Sequence, residues 1–155
     1  MQSKKGFSLI ELLVVISILA VLATIGFFAY KTIFQGARDT KRQSDLKSIQ
    51  SALEQYRSDQ FHYPQSTEIQ FGKSFPLNGS KIYLRTVPCD PKTDNSDCSK
   101  SNYPQYLYQP STGCDTTKCL NYCLYAQLEN PNASITTPDN CKSIPPPYNF
   151  AVTKP

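Results

Sequence analysis

The residues that could do chemistry begin with a single acid. Glu11 lies inside the apolar run Phe7–Tyr30. A carboxylate at the centre of a spanning helix costs roughly 2.5–3.5 kcal/mol and less toward its end, so a plain anchor has no use for one. Its chemistry would be charge pairing with a cation, or snorkelling toward the headgroups. The cysteines come next: Cys89, Cys98, Cys114, Cys119, Cys123 and Cys141, with none in the N-terminal half. They contain no CxxC, and the one histidine, His62, is far away in sequence, so the ligand spacing of a zinc site is missing. An even number of cysteines confined to a small exported module suits a disulfide framework instead. Asp90, Asp94 and Asp97 share a short loop with Asn95, but the closing Glu of an EF-hand is lacking. This loop reads as a solvated segment closed by Cys89 and Cys98. For catalysis, His62 has no Ser or Cys partner in any motif, and there is no phosphate loop or H-E-x-x-H. Between Phe61 and Tyr63 it reads as packing at a helix end.

These residues need elements to hold them. The chain has 155 residues, enough for about one domain, and the apolar run leaves a modest core for the rest. The net charge is +4, half of it from Lys4 and Lys5, so the remainder is nearly balanced. No basic stripe with interleaved aromatics marks a direct nucleic-acid surface. Ten Tyr and twelve Pro without Trp point to a loop-rich, partly β domain.

As a helix, the 24 residues of Phe7–Tyr30 would be about 36 Å long against a hydrocarbon core of about 30 Å. The segment can therefore span with some tilt. Lys4 and Lys5 precede it, which keeps the N-terminus cytoplasmic and puts the C-terminal head outside. A secretory signal would be shorter, with a small-residue cleavage site at its far end. Ala20, Ala23 and Ala29 offer only weak options there, and the small residue that stands out is Gly6, on the near side.

Gly6-Phe7-Ser8-Leu9-Ile10-Glu11-Leu12 resembles the processing motif of type IV pilins and type II secretion pseudopilins. The resemblance implies cleavage between Gly6 and Phe7 by a membrane-embedded prepilin peptidase, N-methylation of Phe7, and an uncut apolar helix that becomes a filament core. Glu11 stands where the family carries its glutamate. Cleavage would leave an ammonium on Phe7, with Glu11 about 6 Å deeper along the helix axis. In a bundle of staggered helices, the carboxylate of one subunit could then meet the ammonium of another. The implied partners are further copies in a helical filament, the prepilin peptidase and the inner-membrane assembly platform.

Lys31 to about Gln60 continues the helical pattern. Leu46, Ile49, Leu53 and Tyr56 form an apolar stripe that Ala52 widens. Arg38, Asp39, Lys41, Arg42, Asp45, Lys47, Glu54 and Arg57 fall mostly off it and read as a solvated face. Gly26 and Gly36 are points where the helix could bend. Arg38–Leu46 and the closing Tyr63-Pro64 continue the resemblance, and Pro64 ends the helical region. Residues 65–88 read as a loop over a sheet, with a turn at Leu77-Asn78-Gly79-Ser80.

The strand pattern is best at Cys119–Leu128, where alternation leaves one face apolar. Tyr103–Gln109 and Tyr148–Val152 are shorter strand candidates. Cys119 and Cys123 would then stand about 13 Å apart on one face, too far to pair. The expected bridges are Cys89–Cys98, Cys114–Cys119 and Cys123–Cys141.

The expectation is thus an α+β, pilin-like chain. Residues 1–6 form a basic leader that is removed, 7–30 a transmembrane and filament-core helix, 31–62 an amphipathic helix, and 63–155 a head with an antiparallel sheet and disulfide-closed loops. Its function is structural rather than enzymatic. The resemblance favours a pseudopilin of type II protein secretion over a type IV pilus major subunit for motility, adhesion or DNA uptake. A monomeric membrane-tethered binding module, with its tyrosines as ligand surface, is the reading of another class. Major pseudopilins bind calcium in a loop of this region, so the resemblance makes Asp90, Asp94 and Asp97 weak calcium candidates. The family's calcium loop would be expected nearer the chain end, where Pro145-Pro146-Pro147 stands instead. No other cofactor is implied.

Overall fold

The computed structural model describes residues 6–77, 79–93, 98, 104–110, 119–130, 138, 141 and 145–155. The chain divides into two compact units, Met1–Ala37 and Arg38–Pro155. One helix, α1 (Leu9–Gln60), contributes to both, and its helical hydrogen bonding includes Gly26 and Gly36, the points where it could bend. Among the described residues it is the one helix long and apolar enough to cross a membrane.

In the first unit the apolar side chains of α1 are exposed from Leu9 through Phe27 and again at Tyr30, Ile33 and Phe34. The few polar groups in the run are satisfied locally. Ser17 and Thr24 donate their hydroxyls to the carbonyls of Val14 and Val21, each at 2.7 Å. Such bonding hides a hydroxyl from an apolar solvent without breaking the helix.

In the second unit α1 packs on a three-stranded antiparallel sheet in the order β1 (Leu107–Pro110), β2 (Tyr122–Ala126), β3 (Phe150–Thr153). Leu107 pairs with Tyr125, and Leu124 with Val152. The stripe Leu46, Ile49, Ala52, Leu53 and Tyr56 meets Tyr122, Leu124 and Ala126 in the main core. Gln50 Nε2 adds a 2.6 Å bond to the Thr153 carbonyl.

The central strand is shorter than the alternation suggested, and both of its faces are buried. Cys123 and Tyr125 point away from α1 but are covered by Cys141, Ala151, Leu107 and Tyr148. The Cys123–Cys141 bridge fastens that cover. Cys119 lies outside the strand, in an isolated bridge with Tyr63, and Leu120 is 58% exposed rather than inward. That cover over the second face is not visible in strand periodicity.

The tyrosines fill this core with their hydroxyls bonded. Tyr63 donates to Glu54 at 2.8 Å, Tyr106 to Asp45 at 3.0 Å and Tyr108 to the Pro64 carbonyl at 2.7 Å. Burial, helped by Glu54, pushes the Tyr63 phenol up to about 12. Burial likewise raises Tyr106, Tyr108 and Tyr122. Aromatic bodies with one polar tip suit a small core whose helix carries acids.

The helix ends at Gln60, so Phe61 and His62 lie beyond it. Phe61 takes the left-handed conformation, φ 64°, while its N–H still bonds the Arg57 carbonyl at 2.8 Å. His62 stacks edge-on against Tyr56. A 3-10 turn, Ser66–Glu68, and a bridge between Phe75 and Leu84 structure the segment that was read as loop. Between them Gly79 is required, because a Cβ there would stand 2.3 Å from Pro76 Cγ. Asn78 is outside the described residues.

Candidate assembly site

Glu11 sits in the first turn of α1, where a negative charge complements the helix dipole. Its Oε2 accepts the Ser8 N–H at 2.9 Å. Ser8 immediately precedes the helix and its carbonyl accepts the Leu12 N–H at 3.3 Å. Ser8-Leu9-Ile10-Glu11 is therefore one half of a capping box. The S-x-x-E pattern is local and stands in the sequence. The local bond fixes the carboxylate at the mouth of the helix, and its second oxygen bonds no described residue. Phe7 is 90% exposed, and Gly6 has no atom within 4 Å of where a Cβ would stand. Gly6, Phe7 and Glu11 thus lie on accessible chain beside one another.

The second unit holds a cluster that corrects the solvated-face expectation. Asp39, Arg42 and Asp45 are buried, and Arg42 is fully so. Arg42 grips Asp90 with two nitrogens, at 2.7 and 3.1 Å, and reaches Asp39 at 2.7 Å and Glu129 at 2.9 Å. Glu129 also takes a two-pronged contact from Arg38, at 2.6 and 2.7 Å, and Lys92 at 3.0 Å. Asp39 accepts the backbone N–H groups of Glu129 and Asn130, each at 2.9 Å. Three cations therefore face three carboxylates, which makes burial of the charge tolerable.

Burial by itself would lower the Arg42 pKa, but the bonds to Asp90 and Glu129 outweigh it and raise it. Glu129 is pulled down to about 2, chiefly by the bond to Arg38. The sequence held one usable signal. Asp39 and Arg42 are spaced as a helical ion pair, but their partners, Asp90 and Glu129, are remote. Only the fold brings those together.

Asp90, read as part of a solvated loop and as a weak calcium candidate, is 1% exposed, and both its carboxylate oxygens bond Arg42. Asp94 and Asp97 lie outside the described residues. Among the described residues no group of three His, Cys, Asp or Glu side chains is placed to hold a metal ion. The Cys89–Cys98 and Cys123–Cys141 bridges form as expected. Cys119 is disulfide-bonded, and its expected partner Cys114 is outside the described residues. The tyrosines offered as a ligand surface are mostly core: Tyr56, Tyr63, Tyr106, Tyr108, Tyr122 and Tyr125 are buried.

An exposed apolar helix with an acid in its first turn, continuing onto a small disulfide-bonded sheet, defines a subunit of a pilin-like filament. Residues 1–27 match the family described as the prokaryotic N-terminal methylation motif. The chain is 33% identical over 98 residues to the type II secretion system core protein G of Pseudomonas aeruginosa, covering 58% of this chain and 69% of that one. It is 32% identical over 102 residues to the protein of that name from Klebsiella pneumoniae, covering 59% and 71%, and 34% identical over 100 residues to that from Pectobacterium carotovorum, covering 57% and 62%. The chain belongs to the type II secretion system core protein G family, the major pseudopilins. No solved structure matches it.

Proposed function

We propose that this chain is cut between Gly6 and Phe7, methylated on Phe7, and polymerised through its apolar helix into the pseudopilus of a type II secretion machine. The prepilin peptidase and an inner-membrane assembly platform are its partners in that process. Lys4 and Lys5 hold the N-terminus in the cytoplasm, and the disulfide-bonded head lies outside. The observation that carries this reading is the carboxylate of Glu11, held by the Ser8 N–H with one oxygen left over. That oxygen is the acceptor for the Phe7 ammonium of a neighbouring subunit, so each apolar-phase charge gains a partner on assembly.

The test is Glu11→Ala. We expect the variant to enter the membrane and be processed but to form no filaments, or very few, by microscopy and crosslinking. Normal filaments from it would sink the pairing. Intact mass of the assembled subunit should correspond to a chain beginning at methylated Phe7. Retained Met1 in filaments would rule out the processing step.

A further inference from the structure

Asp90 stands next to a cross-link and at the heart of the buried charges. It holds Arg42 through both carboxylate oxygens, at 2.7 and 3.1 Å, and both side chains are fully buried. The cross-link is Cys89–Cys98, whose cysteines are nine residues apart. The loop it closes sends a second charge into the cluster, Lys92 Nζ, 3.0 Å from Glu129. Within the loop Asp90 sits in a tight turn, where its Oδ1 accepts the Lys92 N–H and its carbonyl the Thr93 N–H, each at 2.9 Å. That turn shapes the loop but does not tie it to the head. On the near side the tie is Val87, which is buried and bonds the Lys73 carbonyl and the Gly72 N–H, each at 2.8 Å. On the far side it is the bridge, which fastens the buried Cys98 back to Cys89.

The ion contact and the bridge support one another. Opening the bridge gives the loop the freedom of an open chain, and that entropy opposes placing Asp90 against Arg42. Releasing Asp90 leaves a buried guanidinium without its two-pronged partner, a cost that opening the segment relieves.

We propose that the Cys89–Cys98 bridge is a redox gate for the buried charge cluster: Asp90 and Arg42 lock together when it is oxidised and part when it is reduced. Closure is thiol–disulfide exchange with an external disulfide, of a small thiol or of a thiol oxidoreductase. The thiolate of one cysteine attacks the external S–S bond, and the other displaces the mixed disulfide. The Cys89–Cys98 bond forms, and the oxidant leaves as two thiols that carry away both electrons and both protons. With the head outside, as in the reading above, the gate stays open in a reducing cytoplasm and closes after export.

Two measurements on the full chain in detergent test the coupling. The Arg42 Nε–H donates to Asp90 and so reports the contact directly by NMR hydrogen exchange. In Cys89→Ser/Cys98→Ser it should exchange about tenfold faster than in wild type, with the backbone amides of β2 unchanged. Unchanged exchange at Arg42 would overturn the gate, and so would equal acceleration in β2, which would make the bridge a general support of the head. The second measurement runs the coupling in reverse, since linkage between two contacts is reciprocal. Asp90→Asn should make Cys89–Cys98 about tenfold easier to reduce in a dithiothreitol equilibrium, read by thiol alkylation and mass mapping, and leave Cys123–Cys141 as it was. No shift, or an equal shift at both bridges, would refute the coupling. Neither measurement involves filaments, so failure here leaves the filament reading standing, and absence of wild-type filaments would fail that reading alone.

Discussion

Leu13 and Arg42 belong to the same helix, yet their surroundings are the reverse of their polarity. Leu13 is 55% exposed, and Arg42 is 0% exposed. In the front region, residues 9–37, α1 shows its leucines, valines and isoleucines outward. In the rear region, residues 38–60, it turns Asp39, Arg42 and Asp45 inward along with its leucines. The front has been left apolar for a solvent or neighbour of its own kind. In the rear every buried charge is met by an opposite one. Burial therefore follows the available partner rather than hydropathy.

That contrast can be broken or sharpened on the stability of the head. Arg42→Met should have the largest effect, about 3–5 kcal/mol in denaturant unfolding, because Asp39, Asp90 and Glu129 would lose their shared cation. An unchanged midpoint would mean that the cluster is ornamental. Leu53→Ala should come next, at about 2–5 kcal/mol, since Leu53 is fully buried against the sheet.

Acid should act more gradually. Glu129 is lowered from 4.5 to about 2 in the folded head. Its stabilisation is present above the unfolded value and is lost as pH falls from about 4.5 through about 2. A Glu129→Gln head should therefore show a flatter decline in thermal midpoint across that window, and an identical slope would remove Glu129 from the balance. The smallest effect belongs to Leu13→Ala, which should shift head unfolding by less than about 0.5 kcal/mol. A shift like that of Leu53→Ala would show that the two regions are energetically one.

Much of the front was legible because its information is local. The small residue Gly6, an acid four residues after Phe7 and a long apolar run are neighbours in sequence, and the first turn of a helix is enough to relate them. The stripe Leu46, Ile49, Leu53, Tyr56 announced a sheet in the same way, and the three strands fell near the expected segments. The burial of Arg42 was not legible. Its acceptors are Asp39 one turn away, Asp90 in a loop and Glu129 after β2, and no spacing rule links those positions. The second covered face of β2 escaped although the Cys123–Cys141 bridge was expected, because its cover also needs Leu107, Tyr148 and Ala151, which only the fold brings together.

By itself, then, the sequence determined that the chain has a helix suited to an apolar phase, an acid at its mouth and a cross-linked α+β head. Those properties depend on periodicity, on composition and on residues within a turn of one another. Tertiary structure alone decided which charges are inside and that both faces of the central strand are covered. These depend on groups far apart in the chain, and their energies exist only once the fold has excluded water between them.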